Sequence, residues 1–506
     1  MEPAQAVTTE RDMSPSPMRH LLGVEEWSRR LKSGFRRWRL RDLQIFAETA
    51  GLFDAAWYRE ILADELMPGS DPFVHYMRRG WRVQIPPAER IEIESVAARY
   101  PGFRLGVDNP IRFLFVRRSA SSLSAESRAS PAMRVEARLP RTLADGLCVT
   151  GYLRSEIGLG QAARNLVRAC DAVRLPVSCR ALRLPGLENE REFESKCVPV
   201  ADRKANLIVG GLPSVEIFLR EAAPGRLNIF YPFWEVDTIR PEWNRDIRAF
   251  DEIWAPSRFV ASLFRDLAGV TVRFVPQPVR LRAQVPQSRP DRSTLRFFTF
   301  LDYASYAARK NPEAAVNAFR AAFPPARRDV ELVVKTRGER DSGRRRWLME
   351  AASQDDRIRV MDQTVDRMGM DALMRDCDAF ISLHRSEGFG FGPAEALAAG
   401  KAVVATDYGG TTDFISEATG YPVAYEMVPV GPEEYPGAEG HVWASPSHEA
   451  AVAALRAIDA DFSGAEARAR CGFERLRSSH SPVVVGSLIA DILAGHGLVR
   501  PWPFSH

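Results

Sequence analysis

The sequence lacks any uninterrupted apolar run that approaches the ~18 residues of a membrane-spanning helix, so none is expected. It also lacks a C-x-x-C pair: the six cysteines are scattered, which argues against a zinc site or a disulfide framework. The first twenty residues have no apolar core of the kind that a secretory signal needs. These absences predict a cytoplasmic protein in a reducing compartment.

Charge is nearly balanced, but its small excess is concentrated near the start of the chain. Residues 1–145 hold 23 Arg and Lys against 19 Asp and Glu, which accounts for the whole net charge of +4. Seven cations and no acid fall within 29–41, interleaved with aromatic side chains at helical spacing. Such a segment suits peripheral contact of 25–41 with an anionic membrane at the inner face. A helix packed on its own domain is the alternative, and no nucleic-acid module accompanies the patch.

The 506 residues are too many for one ordinary domain, and changes in composition divide them. A tract rich in Ser, Ala, Arg and Pro reads as a linker, and the aromatic residues before it are expected to form a small helical core. The predicted organisation is 1–20 disordered, 21–118 a helical accessory domain, 119–143 a linker, 144–288 and 289–480 two similar α/β domains, and 481–506 a C-terminal helix and tail.

After the linker, short apolar runs alternate with helical segments, which is typical of βαβ units around a parallel sheet. The predicted strands are 147–153, 175–182, 206–212, 227–233 and 252–256 in the first domain, and 295–301, 330–336, 357–361, 378–384 and 401–407 in the second. The run 483–489 is a helix candidate or a short strand. Because ligands bind at the carboxyl ends of parallel strands, the site is expected in a cleft between two Rossmann-like domains.

Three of the loops after predicted strands carry glycines or cations. Gly158 and Gly160 open a helix after the first strand, where backbone N–H groups could approach a phosphate; a plain strand-to-helix turn is the alternative. Arg309 and Lys310 are expected at the N-terminus of a helix that Asn311 caps, which suggests a nearby anion, unless they form a solvated surface pair. Lys335 closes an apolar strand and either binds phosphate or extends to solvent.

The fourth loop is SEGFGFGPAE, residues 386–395, between a strand and a helix that Pro393 is expected to start. Glu387 is expected at the rim of the cleft and Glu395 in the first turn of the helix. Between them Gly388, Phe389 and Gly390 would present backbone N–H groups. This layout suits a nucleoside diphosphate, with Glu395 accepting from ribose hydroxyls and Glu387 reaching the group beyond the phosphates.

The spacing Glu387-x7-Glu395, followed by ALAAGKAVVATDYGG, resembles the E-x7-E motif of retaining glycosyltransferases of family 4, which have the GT-B fold. The resemblance covers about 145–500. It implies transfer of a sugar from a nucleotide donor with retained configuration, usually without a bound metal. Glu395 would then bind the ribose, Lys310 with Arg309 and Lys335 the diphosphate, and Glu387 the donor sugar. No cofactor and no metal are expected.

Two positions depart from the family pattern. The family commonly has an Arg about six residues before the lysine, where this chain has Ala304. Many members also carry a His near the donor sugar, at a strand end where this chain reads FYPFWEVDTIRPEW, with Glu235 and Asp237 and no His. These two acids are therefore candidates for a sugar or acceptor site.

The N-terminal helical region is similar to modules that accompany glycosyltransferases of bacterial surface polysaccharides. We therefore expect a hexosyltransferase-like enzyme that acts on a saccharide or lipid-linked acceptor in surface or extracellular polysaccharide synthesis. Two other readings stay open from the sequence. One is a catalytically inactive GT-B scaffold in a polysaccharide assembly complex, and the other is another GT-B enzyme such as an epimerase.

Overall fold

The structure is a computed structural model that forms two compact units, Met1–Arg134 and Val135–His506. It describes residues 44, 47–48, 52–62, 71–78, 87–88, 111 and 143–499, the last range with gaps at 185–188, 268, 287–292, 339–341, 432–433 and 436–439. The predicted disordered segment, the basic segment 25–41 and nearly all of the predicted linker lie outside the described residues.

The described part of the first unit is helical, with α1 at Ala55–Ile61 and α2 at Pro72–Arg78. Asp54 caps α1 by accepting hydrogen bonds from the N–H groups of Ala56 and Trp57. The rings of Phe53, Tyr58, Phe73 and Tyr76 are buried together, as expected of a small aromatic core. Trp81, another of the aromatic residues before the linker, lies outside the described residues.

The second unit contains two six-stranded parallel sheets, which confirms the predicted α/β architecture. The first sheet has the order β2-β1-β3-β4-β5-β6 and the second β12-β11-β10-β7-β8-β9. The strands of the first are β1 Ala144–Gly151, β2 Val177–Ala181, β3 Arg203–Gly211, β4 Leu227–Phe233, β5 Glu252–Ala255 and β6 Thr271–Phe274. Those of the second are β7 Leu295–Asp302, β8 Val330–Arg337, β9 Ile358–Asp362, β10 Ala379–Ser382, β11 Ala402–Thr406 and β12 Tyr421–Val423.

Helices cover both sheets, which is why the central strands are apolar on both faces. The helices of the second unit are α3 Gly158–Ala172, α4 Val215–Phe218, α5 Asn244–Ile247, α6 Arg258–Leu263, α7 Ala307–Lys310, α8 Pro312–Ala322, α9 Ser342–Gln354, α10 Arg367–Asp376, α11 Phe391–Ala398, α12 His448–Ala460, α13 Phe462–Ser479 and α14 Pro482–Gly495. None of the helices in the described residues is long and apolar enough to cross a bilayer.

The sequence does not predict four of the strands. One is β12, an edge strand of three residues that is too short to give a pattern. The edge strand β6 is short and only partly buried, so it carries little apolar signal. The other two, β13 at Tyr425–Pro429 and β14 at Val442–Pro446, form a separate antiparallel pair that extends from the second domain. Residues of the segment between them reach the candidate site described below.

The apolar run 483–489 is helical, because it lies inside α14. This helix follows the second domain but packs against α3 of the first, with Val485, Ile489 and Leu493 fully buried. The contact is close at Gly486, where an added Cβ would lie 2.1 Å from the carbonyl oxygen of Ala169. The last helix therefore ties the two domains together.

We predict that Gly486→Ala lowers the free energy of unfolding by about 1–3 kcal/mol, because the new methyl group forces α14 away from α3. The matched control is Gly495→Ala in the same helix, where nothing lies within 4 Å of the added atom. That control should be neutral or slightly stabilising. Thermal unfolding of both variants is the measurement, and equal midpoints would contradict the packing described here.

Candidate functional site

The candidate residues gather at the carboxyl ends of the strands, where loops of the two domains meet. Arg309 and Lys310 lie in the one-turn helix α7 after β7, and Glu387 lies in the loop after β10. Two hydrogen bonds to main-chain carbonyls hold these segments together. Arg385 N–H donates to the carbonyl of Arg309 at 2.7 Å, and the Asn311 side chain donates to the carbonyl of Leu383 at 3.0 Å. The local backbone therefore places both cations beside Glu387.

Glu387 is the centre of a buried ion cluster. Its side chain is only 7% exposed, with Oε2 at 3.0 Å from Arg309 Nη1 and Oε1 contacting Lys310 Nζ. Burial raises the pKa of Glu387, but Lys310 and Arg309 outweigh burial and bring it down to about 2. Burial, with Arg309 beside it, lowers the pKa of Lys310. The carboxylate is thus ionised across the neutral range and is held between two cations.

Two helix details correct the sequence analysis. Arg309 and Lys310 end α7 rather than beginning α8, so they stand at a helix C-terminus, where cations are favoured. Pro312 does start α8, but Asn311 does not cap it with its side chain, since its amide is bonded to Leu383.

Glu235 belongs to the same cluster, and Asp237 does not. Glu235 lies after β4, with Oε1 at 3.8 Å from Arg309 Nη2 and Oε2 accepting from the hydroxyl of Tyr435. Asp237 instead binds His441 Nδ1 at 3.1 Å and the N–H of Val442 at 3.2 Å. The two acids, which were proposed together as a sugar or acceptor site, therefore have different surroundings.

Tyr435 and His441 are functional candidates that the sequence did not reveal. Both come from the segment between β13 and β14. Tyr435 is 200 residues from Glu235 in the chain, and His441 is 204 residues from Asp237. No spacing or periodicity in the sequence signals such a long-range contact. The sequence shows only the pair of acids at the strand end, which lose part of their contact with water in the fold and are paired there.

The glycine loop supplies backbone donors at the start of α11. Gly390 has a φ of +94° and caps the helix, which therefore begins at Phe391. Within the described residues, the N–H groups of Gly388, Phe389 and Gly390 donate to no acceptor, although all three residues are buried. Unpaired buried N–H groups at a helix start are suited to an anion. The Phe389 side chain packs against Phe391, so a contact of this residue with a donor would come from its backbone.

Glu395 is farther along α11 than expected. Because the helix begins two residues before Pro393, Glu395 is its fifth residue and lies beyond the first turn. Its side chain is 23% exposed and pairs with Arg367 at 2.8 Å, and Arg367 also contacts Asp371 at 3.0 Å. A cavity of about 250 Å³ adjoins Glu395 and Arg367 and is also lined by 280–282 of the interdomain connection. Arg367 was not singled out from the sequence, where it is one arginine among many.

Lys335 is buried near the end of β8, with an exposed fraction of 4%. Its side chain forms no ion pair or hydrogen bond with the residues that the structure describes. Burial, together with neighbouring Arg337, lowers the pKa of Lys335 to about 8. Arg337 in turn contacts Asp302 at 2.8 Å and donates to the carbonyl of Glu156 at 2.8 Å, so β8 touches the glycine turn of the first domain.

The two glycines of that turn differ in their roles. An added Cβ at Gly160 would lie 2.2 Å from the carbonyl oxygen of Ser155, so this glycine is required by the turn itself. At Gly158, the first residue of α3, the nearest atom to an added Cβ is a ring carbon of Phe391 at 4.0 Å. The start of α3 therefore faces the start of α11 across the meeting point of the two domains.

Residues 302–431 match the family model described as glycosyl transferases group 1, so the chain carries a glycosyltransferase group 1 domain. The matched range includes Arg309, Lys310, Lys335, Glu387 and Glu395. A comparison with curated proteins finds no match.

Two solved structures are similar to this chain over nearly the whole of their own length. Sucrose-phosphate synthase from Thermosynechococcus elongatus covers 69% of this chain and 98% of its own, at 15% identity and a TM-score of 0.51. Anabaena HepE, solved with UDP and glucose, covers 69% of this chain and 100% of its own, at 14% identity and a TM-score of 0.48. The expected GT-B fold, with two Rossmann-like domains, is confirmed. The chain therefore has a GT-B fold that contains a domain matching the glycosyl transferases group 1 model.

We predict that Lys335→Met stabilises the protein by roughly 1–3 kcal/mol at neutral pH, because it removes a buried cation that has no partner among the described residues. The folded-state pKa of about 8 lies below the ordinary value, so the cost is complete below pH 8. This cost disappears as pH rises toward the ordinary lysine pKa of ~10.4. The difference in free energy of unfolding between wild type and variant should therefore shrink at high pH. Denaturant unfolding at several pH values measures this gap.

Lys204→Met is the matched control, because the Lys204 side chain is 45% exposed and its ion pair with Asp145 lies at the surface. It should change stability little at any pH. A loss of stability in Lys335→Met would show that Lys335 is a structural residue with a partner that the described residues do not include.

Proposed function

We propose that the protein is a retaining glycosyltransferase that moves a sugar from a nucleotide-sugar donor to a saccharide or lipid-linked acceptor. The observation that carries this proposal is the buried cluster in which Lys310 and Arg309 share Glu387 beside the unpaired N–H groups of the glycine loop. Charged and backbone donors converging on one point suit the oxygens of a diphosphate.

The roles of the residues follow from their positions. A bound diphosphate gives Lys310 and Arg309 a second anionic partner, and Lys335 brings a further cation with no partner among the described residues. Glu387 is then released in part to accept hydrogen bonds from hydroxyls of the donor sugar. Glu395 takes the ribose after its pairing with Arg367 is exchanged for hydroxyl groups.

Cleavage of the bond between the donor sugar and the diphosphate separates positive and negative charge, and this arrangement would stabilise both. The departing diphosphate gains negative charge, which the cations and the helix-terminal N–H groups of the loop offset. The sugar carbon gains positive charge, which the nearby carboxylate of Glu387 favours. The donor phosphate takes the proton of the acceptor hydroxyl, so no protein base and no bound metal are required. Glu235, paired with Arg309 and Tyr435, orients the cluster instead of acting as a base.

The proposed setting is the synthesis of a surface or extracellular polysaccharide in the cytoplasm, on the basis of the resemblance of the N-terminal region. Incubation with UDP-, GDP- and ADP-sugars, with anomeric configuration followed by NMR, tests the activity. Release of nucleoside diphosphate with a product of retained configuration, also in the presence of EDTA, is expected. Binding without turnover would favour an inactive scaffold, and an altered sugar on the intact nucleotide would favour an epimerase.

We predict that Glu387→Gln lowers turnover about 100-fold or more while the nucleoside diphosphate still binds, because the carboxylate acts on the sugar and not on the phosphates. Gln keeps the shape of the side chain, which limits the change in packing. Steady-state rates and calorimetric binding are the two measurements. Full turnover in this variant would remove Glu387 from the mechanism.

Glu395→Ala should weaken nucleotide binding by roughly 1–3 kcal/mol, the cost of leaving ribose hydroxyls unpaired. Arg367→Ala is its control, because it removes the same ion pair but leaves the carboxylate free for ribose. Calorimetry should show binding to Arg367→Ala at least as tight as to wild type. If both variants lose affinity equally, the ion pair and not the ribose contact explains the effect.

A further inference from the structure

Three aromatic rings form a row that the proposed donor site does not use. The ring centroids of Phe259 and Tyr408 are 5.4 Å apart, and those of Tyr408 and Tyr425 are 5.2 Å apart. Phe259 lies in α6 of the first domain, Tyr408 follows β11, and Tyr425 begins β13. The row therefore crosses from one domain to the other at the carboxyl ends of the strands.

The end of this row is open to solvent. Tyr425 is 37% exposed, and Met427, two residues along the same strand and thus on the same face, is 43% exposed. Phe259 and Tyr408 are half-buried, so the packing around them holds the row in place. Tyr425 and Met427 thus form a small exposed apolar surface that continues the row.

Tyr408 connects the row to the loop of Glu387. Its carbonyl oxygen lies 3.0 Å from Nε2 of the buried His384, three residues before Glu387. Two residues after Tyr408, the N–H of Gly410 donates to the carbonyl of Glu387 at 2.8 Å. The main chain at Tyr408 is thus bonded to the loop that carries Glu387, the residue proposed to bind the donor sugar.

Carboxylates flank the rings. Asp407, which precedes Tyr408 in the chain, is exposed, and burial together with the charge of Asp237 raises the pKa of Tyr408, so Asp237 also lies near the row. Arg258, the chain neighbour of Phe259, lies over the ring of Phe274 and is paired loosely with Asp413 at 3.9 Å. Rings beside carboxylates favour a ligand that has C–H faces and hydroxyl groups but no negative charge.

We infer that the row of Phe259, Tyr408 and Tyr425 binds a neutral saccharide, and that this saccharide is the acceptor chain next to the donor sugar. That the saccharide is an acceptor rests on the proposed function, whereas the binding of a saccharide by the row does not. The faces of aromatic rings carry negative charge density and attract the C–H groups on the face of a sugar ring. The hydroxyl groups at the edge of the same sugar donate to the flanking carboxylates.

The test is saturation-transfer NMR of the full chain with tetrasaccharides of glucose, mannose or galactose, followed by titration of any that bind. Tyr425→Ala should weaken binding about five- to tenfold, whereas Tyr425→Phe and Tyr425→Trp keep the ring and should retain it. Met427→Ala should weaken binding less. The matched control is Met349→Ala, an apolar side chain in α9 that is 50% exposed and should have no effect.

Three results would overturn the inference. They are no binding of any neutral tetrasaccharide, binding that Tyr425→Ala leaves unchanged, and tighter binding of tetrasaccharides that contain glucuronic acid. Donor hydrolysis, measured in the same variants, separates this inference from the proposed function. Saccharide binding that depends on Tyr425, without any donor hydrolysis, would refute the proposed function but not saccharide binding by the row. Donor hydrolysis without saccharide binding would refute saccharide binding by the row but not the proposed function.

Discussion

The burial of Glu387 between two cations is the constraint on which the rest of the candidate site depends. A buried carboxylate is strongly disfavoured unless charges and hydrogen bonds compensate it, and here Arg309 and Lys310 do so. Both cations must therefore stay within reach of a loop that belongs to another strand. The one-turn helix α7 achieves this, with Tyr306 before it and Asn311 at its end both in the left-handed region, at φ of 60° and 49°. Strained backbone of this kind is typical of functional sites.

The same cluster joins the two domains. Glu235 of the first domain approaches Arg309 of the second, and the hydroxyl of Ser386 donates to the carbonyl of Glu235. Next to this contact, the hydroxyl of Ser257 donates to the carbonyl of Gly388 at 2.6 Å. The groups that would bind a donor are therefore already in contact across the domains, with carboxylates partnering the cations. A donor diphosphate would compete with these carboxylates, which couples donor binding to the contact between the domains.

The sequence predicted those parts of the fold that local patterns determine. All ten predicted strands are present, because buried parallel strands are short apolar runs separated by helices, and Glu387 was found because its loop sits between such a strand and a helix. The start of α11 was misplaced since Pro393 was taken as its first residue, whereas proline is tolerated throughout a first turn, where N–H groups have no partner within the helix. The partners Tyr435, His441 and Arg367 could not be predicted, because tertiary contacts over long separations leave no periodicity.

The central claim is that the cluster around Glu387 is the donor site, and a crystal structure with a nucleoside diphosphate sugar tests it most directly. We predict that the diphosphate contacts Lys310, Arg309, Lys335 and the N–H groups of 388–390. The ribose should contact Glu395, and the donor sugar should contact Glu387. A ligand bound elsewhere, with the ion pairs of Glu387 to Lys310 and Arg309 unchanged, would contradict it.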